Sequence, residues 1–275
     1  MKGIAFGQYY PADSFLHRYD PRIKIVITIL YIVCTFLCKN VLSFGLLLLS
    51  ALILIILGKV PLKLVFRSIR PVLIIIAFTA VLNIFWTKGE EQNLLLQWHF
   101  IHIYTEGIFN ASFIIVRIIA LIIGTSMLLT YTTTPIALTD AIEDLLAPLK
   151  KLKLPVHEFA MMMTIALRFI PTLIEETDKI MTAQKARGAD FTSGSLTQRA
   201  KALIPILIPL FVSAFSRASE LATAMECRCY HGEEGRTRMN VRKVRALDVL
   251  GIFAIVAFGA ALVGLNFVDL GFKLR

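Results

Sequence analysis

Charged side chains are scarce in this sequence: 17% of its 275 residues are Asp, Glu, Lys or Arg, against 57% hydrophobic, and the mean hydropathy is +0.72. A soluble domain of this length does not use so many apolar side chains, so the scarcity points to a membrane protein. Acidic residues are scarcer than basic ones, 19 against 29 Lys and Arg, for a net charge of +10. That excess could attract nucleic acid, but no aromatic-basic patch accompanies it and no nucleic-acid partner is expected. In an apolar chain the basic residues instead collect on the cytoplasmic side of the bilayer. Cysteine occurs only at 34, 38, 227 and 229, with no C-x-x-C pair, which argues against a zinc ribbon or a thioredoxin-like site. Cys34 and Cys38, one helical turn apart in an apolar run, read as small packing residues. The opening stretch MKGIAFGQYYPADSFLHRYDPR has no apolar core before a cleavage site, so no signal peptide is expected. There is no G-x-x-x-x-G-K-[ST] phosphate loop.

What the chain does have is apolar runs. Crossing a hydrocarbon core takes about 17 to 25 residues. Five runs qualify: 23–38, 41–58, 71–86, 107–131 and 246–266. Two more are interrupted. FAMMMTIALRFIPTLI carries Arg168 and Pro171, and ALIPILIPLFVSAF carries Pro205 and Pro209 within 14 residues. With the five runs as spans and a cytoplasmic N-terminus, 24 of the 29 Lys and Arg fall inside, and making 202–215 a sixth span would move a basic block to the wrong side. The expected organisation is all-α and polytopic: four transmembrane helices in 1–131, a cytoplasmic or interfacial helical domain in 132–245, and a last transmembrane helix with an outer tail in 246–275.

The 132–245 insert reads as helices lying along the inner membrane surface. Thr134 is placed to cap a first helix with Pro135 at its first position, Leu138, Ile142, Leu145 and Leu149 forming its apolar face. A long helix follows from Val156 to Arg187, roughly 48 Å at 1.5 Å per residue, with Pro171 as a bend. A second runs from about Thr197 to Tyr230, with His231 and Gly232 as its stop.

Each long helix closes on the same pattern. TAQKARG from Thr182 and TAMECRC from Thr223 both match T-A-x-x-[AC]-R-[GC], and Arg187 and Arg228 lie 41 residues apart. Ala186 and Gly188 flank the first arginine, and Cys227 and Cys229 flank the second. Small neighbours let a helix end approach another surface while one planar cation reaches a carboxylate. The plainer alternative is two ordinary cations favoured by the helix macrodipole; the duplicated spacing speaks for two similar receptor grooves. A metal site at Cys227, Cys229 and His231 is not expected, because positions i and i+2 of a helix point apart.

These residues resemble the transmembrane T component of energy-coupling factor transporters, bacterial and archaeal importers of vitamins and metal ions. The family's paired Ala-Arg-Gly signatures match Ala186-Arg187-Gly188 well and Cys227-Arg228-Cys229 less well. Asp20-Pro21-Arg22 in YDPRIK and the LRFIP stretch, Leu167 to Pro171, also look like family motifs. The resemblance implies a non-catalytic scaffold in the cell (plasma) membrane. It would bind two ABC-type ATPases through two arginine-tipped coupling helices, and a small membrane S component that captures the substrate. ATP and Mg would be bound by the ATPases, leaving this chain with no cofactor. The cysteines remove the glycine best suited to a left-handed cap. The second helix is therefore expected to run on through Tyr230 where the first stops near Gly188, making the two ATPase contacts unequal.

Other residues divide between two readings. Arg117, inside the fourth span, either pairs with an acid of a partner or of this chain, or with a polar group inside the bundle. Asp20 and Arg22 read as a helix cap and a surface cation with a structural role. Arg168 and Pro171 mark either a hinge or a snorkelling cation beside a static kink. LLLQWHFIHIYTEG, with His99 and His102, reads as a hairpin or interfacial loop. An intramembrane enzyme is disfavoured, because His157-Glu158 lacks the second histidine of H-E-x-x-H. A channel or secondary transporter is disfavoured because polar residues in the spans, Arg117 and Asn83 apart, are scarce.

Overall fold

The computed structural model describes residues 9–86, 94–98, 101–152, 155–191, 195–232 and 244–267. Residues 1–8, Lys88, His99, residues 192–194, residues 233–243 and those from 268 on lie outside these. The described residues are overwhelmingly helical: α1 (Pro21–Leu37), α2 (Val41–Gly58), α3 (Leu62–Ile69), α4 (Leu73–Trp86), α5 (Thr105–Thr125), α6 (Pro135–Leu146), α7 (Val156–Ala186), α8 (Leu196–Cys227) and α9 (Ala246–Asn266). A short antiparallel hairpin, β1 (Leu94–Trp98) and β2 (Ile101–Tyr104), pairs Leu96 with Ile103 and Trp98 with Ile101, as the alternating stretch suggests. The protein is an all-α polytopic membrane protein.

Among the described residues, five helices are long and apolar enough to cross a bilayer: Val41–Gly58, Thr105–Thr130, Val156–Ala186, Thr197–Cys227 and Ala246–Asn266. The membership differs from the sequence expectation. Run 71–86 is part of a bent pair, α3 and α4 meeting at 55°, and α1 has only 17 residues. At 1.5 Å per residue α1 is about 26 Å long, at the short limit for a span. Length and composition admit α7 and α8; the basic blocks flanking them are what speak against their spanning.

The described residues divide into two compact units, one within 9–134 with 244–267 and the other within 135–232. In the first, α1 buries one stripe, Ile23, Ile27, Tyr31 and Cys34, at three- and four-residue spacing, and leaves Ile29, Val33 and Phe36 on the outside. The stripe packs on Phe113 and Ala120 of α5, Phe44 and Leu47 of α2, and Ile255 and Leu262 of α9. Gly124 lets the Tyr31 ring lie against α5; a Cβ there would overlap the ring. Tyr31 Oη donates to the Ala120 carbonyl at 3.3 Å. Cys34 and Cys38 are buried, 7% and 0% exposed, in keeping with a packing role.

Polar ties hold α1 and α9 together at both ends. At one end the Asp248 carboxylate accepts from the Asp20 amide at 2.8 Å and from the Arg245 amide at 2.7 Å. At the other, Asn40 Nδ2 donates to the carbonyls of Leu265 and Asn266, each at 3.2 Å, and Asn266 Nδ2 donates to the Leu37 carbonyl at 2.7 Å. Helix ends expose amides and carbonyls without intrahelical partners, and these side chains satisfy them where lipid supplies none.

In the second unit α6 begins at Pro135, as expected. Its buried residues are Thr139 and Ala141, whereas Ile142 and Leu145, expected on the inner face, are 38% and 37% exposed. Thr139, Ile142, Glu143 and Leu146 line a small gap against Val156, Phe159, Ala160 and Met163 of α7, and the Glu143 carboxylate pairs with His157 Nδ1 at 2.9 Å. The inner face is thus shared by polar and apolar side chains, with Ile142 at its edge.

Candidate functional site at the ends of two long helices

α7 and α8 are nearly equal, 31 and 32 residues, about 46 to 48 Å each. α7 continues through Pro171, and α8 through Pro205 and Pro209. α8 starts on a capping box: Ser195 Oγ accepts from the Gln198 amide at 3.4 Å while Gln198 Oε1 accepts from the Ser195 amide at 3.0 Å.

Both helices end in the same way. Arg187 and Arg228 are the C-cap residues, at φ −83°, ψ 4° and φ −93°, ψ 17°. The next residue is left-handed in each case, Gly188 at φ 89° and Cys229 at φ 56°. The Gly188 amide donates to the Lys185 carbonyl at 3.0 Å and the Ala189 amide to that of Gln184 at 3.0 Å. Forty-one residues on, the Cys229 amide donates to Glu226 at 2.9 Å and the Tyr230 amide to Met225 at 3.1 Å. These paired bonds are those of a glycine-type C-cap.

The expectation that α8 runs on through Tyr230 is therefore incorrect. A cysteine holds the left-handed position because two backbone bonds outweigh its conformational cost, about 1–2 kcal/mol for a residue with a Cβ. His231 Nδ1 adds a donor to the Cys229 carbonyl at 2.8 Å.

All six motif residues, Ala186, Arg187, Gly188, Cys227, Arg228 and Cys229, are exposed. A Cβ at Gly188 would meet nothing within 4 Å, so glycine is favoured there by backbone conformation and not by space inside the chain.

The helices join at matching positions. Glu176 precedes Arg187 by the same 11 residues by which Arg217 precedes Arg228. Arg217 Nη2 donates to Glu176 Oε2 at 3.0 Å, and Ser213 Oγ donates to Glu176 Oε1 at 2.6 Å. The Ser213 hydroxyl and the Arg217 charge hold the Glu176 carboxyl below its ordinary range. Each arginine tip thus extends about 17 Å along its helix from one shared polar clasp.

The remaining candidates stand apart from these tips. Asp20 caps α1, its carboxylate accepting from the Arg22 amide at 2.9 Å, with Pro21 at the first helical position. Arg22 Nε lies 3.9 Å from the same carboxylate. Arg168 and Pro171 are exposed on α7. Arg117 Nη2 donates to the Cys38 carbonyl at 2.8 Å, and its guanidinium lies 5.9 Å and 5.4 Å from the ring centres of Phe36 and Phe44. It makes no ion pair among the described residues, so the polar-group reading is the one the geometry favours.

The family profile described as cobalt transport protein, CbiQ, matches residues 12–239. The chain belongs to the CbiQ family. The energy-coupling factor transporter transmembrane protein EcfT of Ruminiclostridium cellulolyticum is 53% identical to it over 258 residues, 94% of this chain and 95% of the relative. The EcfT proteins of Clostridium kluyveri and Bacillus subtilis are 52% and 47% identical, covering 91% and 95% of this chain and 92% and 98% of their own lengths. The likeness spans the energy-coupling factor T-component family that the arginine signatures suggest. In this CbiQ-family chain several structural residues carry no sequence signal: Lys24, 4% exposed, donates Nζ to the Thr132 carbonyl at 2.8 Å. Asp248, Asn40 and the Glu176–Arg217 pair are likewise recognisable only once the helices are packed.

Proposed function

We propose that this chain is the membrane scaffold of an energy-coupling factor importer. It couples ATP binding and hydrolysis by two ABC-type ATPase subunits to reorientation of a small substrate-binding S component, for uptake of a vitamin or metal ion. Arg187 and Arg228 are the ATPase-contacting tips, with Ala186, Gly188, Cys227 and Cys229 keeping their flanks small. The N-terminus and the 132–245 insert are cytoplasmic, on the strength of the basic-residue distribution. The ATPases supply the nucleotide and Mg chemistry, and this chain catalyses nothing.

The observation that carries this reading is the pair of matching helix ends: two exposed arginines, each followed by a left-handed residue and closed by the same pattern of backbone bonds, equally far along the chain from one clasp. Two equal tips suit two ATPases of one architecture. Both helices stop at the same point of the motif, so the expected inequality of the two contacts rests on the Cys227 and Cys229 side chains alone. The test is transport and ATPase co-purification of Arg187→Ala, Arg228→Ala and the double variant. Removing one member of a desolvated charge pair costs about 2–5 kcal/mol. Each single change should weaken ATPase retention and the double should abolish uptake while the chain stays in the membrane. Normal uptake by the double variant would refute the assignment.

A further inference from the structure

The segment from Lys59 to Arg70 has a charge pattern that coupling to ATPases does not use. It contains Lys59, Lys63, Arg67 and Arg70 and no acidic residue. All four are exposed, and none makes an ion pair among the described residues. α3 occupies most of it. The helix buries Val65, with Leu64, Ser68 and Ile69 on the same inner side. Tyr131 Oη fixes that side to the end of the α5 segment, donating to the Leu64 carbonyl at 3.0 Å and hydrogen-bonding Ser68 Oγ.

The outward side of α3 is split in two. Leu62 and Phe66, one turn apart, form an apolar strip, 60% and 70% exposed. Lys63, Arg67 and Arg70, at spacings of four and three, form a cationic strip beside it. α3 follows the end of α2, which is long and apolar enough to span, and meets the apolar α4 at 55°; its four cations are costly in hydrocarbon and favour a place at the bilayer surface. An apolar strip flanked by a cationic one at that level is the pattern of a helix seated in the lipid headgroup region.

We propose that α3 is a binding site for an anionic phospholipid. Leu62 and Phe66 lie against its acyl chains, and Lys63, Arg67 and Arg70 hold its phosphate, with Lys59 adding charge at the rim. The complementarity is of sign and of depth: four cations without an internal acid, beside side chains that only hydrocarbon satisfies. Because α3 is tied to the α5 segment through Tyr131, an occupied site steadies the bend between α3 and α4. The proposal goes beyond the scaffold role and does not depend on what Arg187 and Arg228 contact.

The test is native mass spectrometry of the full-length chain in detergent, titrated with phosphatidylglycerol or phosphatidylcholine. Wild type should retain phosphatidylglycerol preferentially. Lys63→Gln, Arg67→Gln and Arg70→Gln should each weaken that retention about five-fold, leaving phosphatidylcholine binding unchanged. High salt should weaken it in wild type as well, which needs no variant. Lys39→Gln, at the opposite end of α1, should change nothing. Equal retention of the two lipids by wild type, or undiminished selectivity in the triple variant, would overturn the proposal. So would a triple variant that keeps its lipid selectivity and instead loses a co-purifying subunit. Failed assembly through Arg187 and Arg228 with normal lipid selectivity would count against the scaffold reading alone.

Discussion

Replacing Cys229 by glycine should strengthen the end of α8. At φ 56° a side chain with a Cβ costs about 1–2 kcal/mol. Glycine removes that cost but releases about 0.4–1 kcal/mol of extra entropy to the unfolded chain. The net gain is about 0.5–1 kcal/mol, a two- to five-fold shift in the opening of the cap. Hydrogen exchange of the Cys229 and Tyr230 amides reads it directly, because their acceptors, Glu226 and Met225, are the bonds that opening breaks. Cys229→Gly should slow exchange of this turn two- to five-fold. Cys229→Ala should leave it nearly unchanged, since alanine carries the same backbone cost without the thiol. Gly188→Ala should speed exchange at the end of α7 by a similar or larger factor. Faster exchange in Cys229→Gly would mean that the thiol and not the backbone sustains the turn, and the equivalence of the two helix ends would fall with it.

Substitutions at three positions test the polar ties. Asp248→Ala orphans the amides of Asp20 and Arg245, at roughly 1–3 kcal/mol each, and should lower the thermal midpoint of the detergent-solubilised chain well below that of Asp248→Asn, which keeps an acceptor oxygen. Arg117→Ala leaves the Cys38 carbonyl without its donor and should cost about 1–3 kcal/mol by the same measurement, with Arg117→Lys recovering part of it; a midpoint equal to wild type would dismiss the bond. The Glu176 clasp should depend on pH: its folded-state pKa is lowered, so its contribution is complete above the ordinary carboxylate value and is lost as pH falls through the lowered one. Spin labels on α7 and α8 should therefore report unchanged separation on mild acidification and loosening only in stronger acid, with Glu176→Gln loosened throughout.

The helices were legible in the sequence because their signals are local. Pro135 starts α6, Asp20 and Pro21 start α1, and the T-A-x-x-[AC]-R repeat marks two helix ends to within a residue or so. The errors arose where a distant partner decides. The inner face of α6 mixes Ile142 and Leu146 with Thr139 and with Glu143, whose partner His157 lies 14 residues on. α8 stops at Cys227 because carbonyls behind it accept from Cys229 and Tyr230, a demand that overrode the dislike of cysteine for left-handed backbone. Asp248, Asn40 and Lys24 gave no sign because a buried polar residue is recognised by what it bonds, and those partners are remote in sequence: Asp20 lies 228 residues from Asp248, and Thr132 108 from Lys24. The two arginine tips were visible because the chain repeats them. The clasp between Glu176 and Arg217 repeats the position and changes the charge, so no search for similar residues finds it.

The ties between α1 and α9 bear on how the protein is made. A ribosome delivers α1 to the membrane early, yet the carboxylate that satisfies the Asp20 amide arrives 228 residues later. The carbonyls of Leu265 and Asn266 that accept from Asn40 Nδ2 emerge later still. Until then the α1 stripe lacks Ile255 and Leu262, and α6, α7 and α8 have already been synthesised. Closure of the membrane bundle is thus a post-insertion event gated by its final helix. A nascent chain halted before Ala246 should be a target for membrane quality control, whereas a separately expressed α9 segment should rescue it.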